Sequence, residues 1–246
     1  LIANAADKGS QIEWFGFSEE AHTTVDLQYA PTYVDSLQRP SSSVTLISQN
    51  ERQVKVHVGG EEVSFQLPSR GAHFALDAIA ALATAKEILG ERFDLKLSAK
   101  VLDELPPVFS RGEVREIDGE QVEFILVQNP ASFQLNLDNI LGKPNQVFVA
   151  VGRDVHDPSW LWTVDFKKLE HVSIVSGFNY ADAALALKYN GVDVERTEAD
   201  YFKAIDDFLS LPKPRVGIKT VLYSADAMRR LRRYKGFTDP EDVNRV

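Results

Sequence analysis

An α/β fold built on a mostly parallel sheet is the architecture this sequence predicts, and three observations carry it. The second half alternates short apolar runs with helix-period segments, the pattern of repeated βα units. Its strands are largely apolar runs, such as Val147–Val151 and, with two serines, Val172–Ser176, as strands covered on both faces tend to be. Hydrophobic residues make up 44% of the 246 and charged ones 26%, so a sizeable core can be buried.

The elements follow in order. Residues 1–4 read as the end of a strand and residues 13–17 as another short one. Residues 20–43, with Pro31, Pro40 and three consecutive serines, read as an irregular surface loop. Residues 52–67 are a hairpin: Val54, Val56 and Val58 alternate, Gly59-Gly60 turns, and Val63, Phe65 and Leu67 alternate back. Phe74, Ala78, Leu82, Ala85 and Leu89 recur at helical spacing over residues 73–89, with Gly90 as the stop. Leu105-Pro106-Pro107 punctuates the chain and sets a domain boundary, giving domains 1–107 and 108–246. Asp118-Gly119 joins strands 114–117 and 122–127 as a type I′ hairpin. Helices are expected at 133–141, 180–189, 201–209 and 225–234, and strands at 147–151, 172–176 and 217–223.

Composition excludes several function classes. The formal net charge of −9 argues against sequence-independent nucleic-acid binding, which needs clustered cations. The basic run Arg229, Arg230, Arg232, Arg233 and Lys235 reads as a solvated helix face, with a phosphate patch as the alternative. The absence of cysteine excludes disulfides, thiolate zinc sites and cysteine nucleophiles in this chain, and fits a reducing, cytoplasmic compartment. No apolar run approaches the roughly 18 residues of a membrane span. The first residues do not form a signal peptide, and without an initiator methionine the chain reads as a fragment entered in mid-domain.

The most informative stretch is Gly152-Arg-Asp-Val-His-Asp-Pro-Ser-Trp160 and its continuation through Trp162 to Phe166. It follows an apolar strand, and the crevice beyond strand carboxyl ends is where chemistry collects in open α/β sheets. Asp154 and Asp157 there can orient a histidine or hold a cation, or they only cap the turn that begins near Ser159. His156 is a poor partner, because adjacent side chains in an extended segment point opposite ways; a histidine from elsewhere, even another chain, fits better. Gln128-Asn129-Pro130 follows another strand end, as a nucleotide or substrate contact or as an ordinary Asx turn. The chain has no P-loop, no Gly-x-Gly-x-x-Gly and no Gly-x-Ser-x-Gly elbow, and its five histidines lack metal spacing.

Taken together, several motifs resemble the MurT family, the Mur ligase-like subunits of lipid II isoglutaminyl synthase. Leu1-Ile-Ala-Asn-Ala-Ala-Asp7 is similar to the family's Asn-Ala-Asp-Asp-Pro stretch, and residues 70–90 to its Ala-rich helix with Asn-x-x-Asn. Ser110-Arg-Gly-Glu113 resembles Gly-Arg-Met-Glu, and Val127–Phe133 resembles Lys-Asn-Pro-Ala-Gly-Phe. Asp154–Trp160 resembles Asp-Gly-x-Asp-Val-Ser-Trp, and residues 161–166 continue it. Ser176-Gly177, Asp182, Leu187-Lys-Tyr189 and Val221–Arg232 follow in the family's order.

The resemblance implies a Mur ligase-like chain: the end of a central ATPase domain, then a Rossmann-like C-terminal domain. It implies ATP- and Mg²⁺-dependent amidation of the D-glutamate α-carboxyl of the lipid II stem peptide, through an acyl phosphate. A GatD-type glutaminase subunit would supply ammonia in a heterodimer, and Asp157 would complete that partner's Cys-His pair. Arg111, Gln128, Asn129 and Asp77 are the matching nucleotide-side positions, although Arg111 and Glu113 could equally form a junction ion pair. No zinc and no nucleic acid are expected, and the membrane enters only through the lipid-linked substrate.

Departures leave a rival open. Phe74 and Asp77 stand where the family has asparagines, Gln128 replaces a lysine, Ala6 an aspartate, and Phe178-Asn179 a Glu-Arg pair. The alternative is therefore a divergent, non-catalytic Mur-like scaffold that docks and activates a glutaminase. A folate-type Mur-like ligase is a third reading, against which the Asp-x-x-Asp-x-Ser-Trp segment counts.

Overall fold

Alternating apolar residues decide which way each early strand faces. In the computed structural model, which describes residues 7–24, 41–107, 109–140 and 144–237, the chain divides into two compact units, Leu1–Pro106 and Pro107–Val246. The expected strand end at 1–4, most of the seven-residue opening motif including Ala6, and the end of the helix expected at 133–141 lie outside the described residues.

The N-terminal unit runs β1 (Phe15–Phe17), α1 (Glu19–Thr24), β2 (Val44–Asn50), β3 (Gln53–Val58), β4 (Glu61–Gln66), α2 (Ala72–Leu89) and α3 (Leu95–Asp103). Its sheet has the order β1-β2-β3-β4, the first pair parallel and the other two antiparallel. Val54, Val56, Val58 and Phe65 point inward onto Ala75, Ile79 and Leu82 of α2. The hairpin turns at Gly59 and Gly60, whose φ values of 58° and 94° favour glycine. α2 stops at Gly90, φ 53°, whose N–H reaches back to the Lys86 carbonyl. Residues 19–24 are helical, a correction to the start of the loop expected over 20–43, of which residues 25–40 lie outside the described residues. β2 and α3 have no counterpart in the sequence reading. A bulge between Leu46 and Ser48 breaks the period of β2. α3 is announced only by its cap: the Asp94 carboxylate accepts the Leu97 N–H at 2.9 Å.

The C-terminal unit contains β5 (Arg111–Ile117), β6 (Glu120–Leu126), α4 (Pro130–Asn139), β7 (Val147–Ala150), a 3₁₀ turn (Pro158–Thr163), β8 (His171–Ser176), α5 (Tyr180–Tyr189), β9 (Asp193–Thr197), α6 (Tyr201–Leu209), β10 (Lys219–Tyr223) and α7 (Ala225–Tyr234). The six strands lie in the order β5-β6-β10-β7-β8-β9, and every neighbouring pair except β5–β6 is parallel. This is the α/β, mostly parallel sheet read from the sequence. Asp118 and Gly119, φ 52° and 80°, form the tight β5–β6 turn.

Period-two alternation splits the core into two layers. Ile125, Val147, Val149 and Leu222 face α4, the 3₁₀ turn and α5. Phe124, Phe148, Val221 and Tyr223 face α6 and α7. β9 was not legible because it is an edge strand of charged residues with only Val194 buried. β10 returns to lie between β6 and β7, with Tyr223 in register with both Leu126 and Ala150. Three strand carboxyl ends therefore stand side by side on one rim.

The basic run on α7 is only in part a solvated face: Arg233 is exposed, but the others are engaged or partly covered. Arg232 is 1% exposed and its Nη1 donates to Glu113 Oε2 at 2.6 Å. Arg230 lies over the rings of Tyr201 and Phe202, and Lys235 pairs with Asp206 at 2.6 Å. Glu113 also accepts the Ser110 N–H at 2.9 Å and Arg115 Nε at 2.5 Å, and the Ser110 hydroxyl meets the Tyr223 phenol at 2.5 Å. Of the two readings left open for Arg111 and Glu113, the junction ion pair gives way to this network: the two residues flank a register shift in β5, and Arg111 is exposed. Burial opposes ionisation of Glu113, but hydrogen bonds from Arg232, the Ser110 N–H and Arg115 outweigh it and hold the carboxyl below its ordinary value.

Replacing Glu113 by a neutral residue removes a carboxylate from a buried guanidinium. Glu113→Gln should cost about 2–4 kcal/mol in urea unfolding at neutral pH. The contribution of a carboxyl depressed in the folded chain is complete above the ordinary glutamate value of about 4.3 and lost as pH falls through the lower folded value. The gap between wild type and variant should therefore close in acid; a gap independent of pH would refute the assignment.

Candidate functional site

The rim formed by the carboxyl ends of β6, β10, β7 and β8 carries the candidate site. After β7 the chain must leave the sheet beside α7 and pass under the β8–α5 junction, and glycine makes both passages possible. A Cβ on Gly152 would lie 2.9 Å from Ala227 N and from the Asp226 Cβ. A Cβ on Gly177 would lie 2.5 Å from the Val151 carbonyl oxygen, and its φ of +94° also disfavours a side chain.

Asp157 ends this loop. It is exposed, and its Oδ1 accepts the Ser159 N–H at 2.9 Å, making it the cap of the 3₁₀ turn that Pro158 opens. Hydrogen bonds from the Ser159 hydroxyl and N–H hold the carboxyl below the usual aspartate value, so it is ionised throughout the neutral range. Capping and exposure coexist: the carboxylate is oriented by the chain it terminates and is reachable from solvent. Asp154 does not cap that turn. Its Oδ1 accepts the Ser224 hydroxyl at 2.6 Å and its Oδ2 the Ala225 N–H at 2.9 Å, across the rim. His156 is exposed.

The other sequence-derived positions sort differently. Asn129 caps α4: its Oδ1 accepts the Ser132 N–H at 2.8 Å while the Ser132 hydroxyl accepts the Asn129 N–H at 3.1 Å, a capping box. The Asx geometry open in the sequence is thus formed and occupies the side chain. Gln128 is exposed beside it, and Arg111 is exposed where β5 meets the end of β6. The rim thus gathers Arg111, Gln128, Asn129, Asp154 and Asp157 in one unit. Asp77 is exposed on α2, in the other unit, with Phe74 half-buried against that unit's core. Among the described residues no group of three or more His, Asp or Glu side chains could hold a metal ion.

Sequence reasoning missed Ser224 and Asn179 as site residues. Asn179 Nδ2 donates to the carbonyls of Gly152, at 3.0 Å, and Val155, at 2.8 Å. Only the parallel register that brings β8 and β10 beside β7 makes these contacts, and no local pattern announces them.

The fold is that of the Mur-type and folylpolyglutamate-type ligases. It is similar to a pseudomurein peptide ligase type C from Methanothermus fervidus (TM-score 0.63, 17% identity, 81% of this chain and 43% of that one). It is also similar to folylpolyglutamate synthase of Mycobacterium tuberculosis, solved with ADP and AMPPCP (TM-score 0.64, 18% identity, 98% and 52%). Residues 126–225, within the C-terminal unit, match the MurT ligase C-terminal family. The MurT subunit of lipid II isoglutaminyl synthase (glutamine-hydrolyzing) from Streptococcus pneumoniae is 24% identical over 160 residues, 61% of this chain and 35% of that protein. The chain thus spans about a third of that relative and about half of the structural ones.

Steric closeness at the rim is separable from backbone strain. Gly177→Ala should cost about 2–5 kcal/mol, combining left-handed strain with collision on Val151. Gly191→Ala, φ +81° with open space around the Cβ position, should cost only about 1–2 kcal/mol. Equal losses of stability in the two variants would show that the close approach at Gly177 is unimportant.

Proposed function

We propose that this chain is part of the ligase-side subunit of an ATP- and glutamine-dependent amidating enzyme, acting on the D-glutamate α-carboxyl of the lipid II stem peptide. A GatD-type glutaminase is its partner. The observation that carries the reading is Asp157: an exposed, ionised carboxylate held rigid at the rim, inside the segment that matches the MurT C-terminal family. A carboxylate so placed can accept the N–H of a partner's histidine, fix its tautomer and stabilise the imidazolium formed when it takes a proton from a thiol. Glutamine hydrolysis then proceeds on the partner, and the ammonia is delivered to this subunit. Low basicity suits the task, since Asp157 need only remain charged.

The 3₁₀ turn that Asp157 caps also carries Trp162, 43% exposed, against Tyr189 of α5, 80% exposed, with ring centroids 5.3 Å apart. Leu185, one helical turn before Tyr189, is 58% exposed. An apolar patch beside a carboxylate that needs a foreign histidine supports docking of the glutaminase on this face.

ATP and Mg²⁺ belong to the proposal for the whole protein. The 246 residues contain no glycine-rich phosphate cradle, and the described ones no metal-binding cluster, so they do not fit the nucleotide on their own. Arg111, Gln128 and Asp77, all exposed, are candidates for side contacts; Asn129 is engaged in its capping box. No step is assigned to them. The rival reading, a scaffold that activates a glutaminase without ligating, draws on Phe74, Asp77, Gln128 and the consumed Asn129 side chain. Tight ATP–Mg²⁺ binding by the whole protein would remove it.

Asp157→Asn in the whole protein, combined with its glutaminase subunit, should lower glutamine hydrolysis at least hundredfold; normal hydrolysis would refute the role. Trp162→Ala should weaken the complex about tenfold or more in a binding titration while leaving the fold intact, and an unchanged Kd would remove the docking face.

A further inference from the structure

Two carboxylates three residues apart invite one shared role, but the geometry divides them. We infer that Asp154 is a positioning residue: it locks the loop after β7 onto the start of α7 and so sets the direction in which Asp157 projects. The inference rests on the glutaminase reading of Asp157 and deepens it.

The lock is reciprocal. Ser224 is the residue before α7, yet its hydroxyl makes no bond to its own helix. It accepts the Gly152 N–H at 2.8 Å and donates to Asp154 Oδ1 at 2.6 Å. Asp154 Oδ2 takes over the capping duty by accepting the Ala225 N–H at 2.9 Å. In return, Asp226 of α7 accepts the Arg153 N–H at 3.1 Å. The loop thus gives two N–H groups to α7 and its preceding residue, and receives a hydroxyl and an N–H on one carboxylate. On the opposite side, Asn179 grips the carbonyls of Gly152 and Val155, and Val155 itself is buried. Residues 152–155 are held from both sides, and three residues later Pro158 and the 3₁₀ turn fix the chain again.

Both oxygens of Asp154 are therefore committed within the chain, and its carboxylate is aimed at α7. Among the described residues Asp157 is bonded only to Ser159 in its own turn, and it stays exposed. A third-member carboxylate must hold its partner's imidazole within a fraction of an ångström, so losing the loop's anchorage should slow turnover without altering glutamine binding.

The test uses the whole protein with its glutamine-hydrolysing subunit, reading kcat and KM for glutamine, the Kd of the complex and the melting temperature of the subunit. Asp154→Asn should lower kcat about tenfold, the loss of one charge-assisted hydrogen bond, with KM and Kd unchanged. In the double variant with Asp157→Asn, kcat should equal that of Asp157→Asn alone, because a residue acting through Asp157 loses its effect once Asp157 is gone. Ser224→Ala, which keeps both carboxylates, should behave like Asp154→Asn and stands in for it if that variant folds poorly. Wild-type kcat in both Asp154→Asn and Ser224→Ala, or a further tenfold loss in the double variant, overturns the positioning role and leaves the reading of Asp157 intact. Undiminished hydrolysis in Asp157→Asn overturns that reading itself, and the positioning role with it.

Discussion

The return of β10 to the slot between β6 and β7 is the constraint on which the candidate site depends. Parallel pairing on both sides aligns Leu126, Tyr223 and Ala150, so the segments that follow these strands leave the sheet together. Each brings a different chemical resource. The β6 exit brings a capping box, the β7 exit two carboxylates, and the β10 exit a hydroxyl and the N–H groups of a helix start. Had β10 added at an edge, Asp154 would face solvent with no partner across the rim.

A second interaction steadies the same region from the other face. The Glu113–Arg232 pair joins β5 to α7 through groups that are almost wholly buried, with Ser110 and Tyr223 completing the network. A buried ion pair contributes little net stability compared with apolar packing, but it strongly penalises any arrangement that separates its members. Here it pins the helix whose first turn holds Asp154. Burial pushes the Tyr223 phenol well above its ordinary value and keeps it neutral, so among the described residues Glu113 is the charged acceptor of this network. Ser110 follows Phe109, both at positive φ (65° and 38°), a conformation that ordinary side chains avoid and that Arg232 and Glu113 stabilise from above and beside.

The unit divides its polar groups between holding and acting. Asp154 and Ser224 bond each other and neighbouring backbone N–H groups, Asn179 bonds two loop carbonyls and Asn129 is taken up by its capping box, while Asp157, oriented by the Ser159 N–H, and Arg111 and Gln128 stand exposed on the same rim. A surface meant for another molecule needs such a division, because a group that must act on a partner has to be oriented without being consumed. Trp162, Leu185 and Tyr189 are exposed on the same unit.

The sequence by itself determined the elements whose signal is local. Period-two and helical spacing placed β3, β4, α2, α5, α6 and α7 nearly to the residue, and Asp118-Gly119 announced its turn, because backbone conformation there is dictated within a few residues. The cap at Asp157, one of the alternatives open in the sequence, was legible for the same reason: it follows from the proline and serine beside it. Tertiary structure alone decided whatever depends on pairing across many residues. That Arg232 is buried while the arginine beside it is exposed, that Asp154 serves α7, and that Asn179 holds the Asp157 loop all follow from strand order. Contacts between residues some 25 to 120 positions apart leave no period in the chain to read.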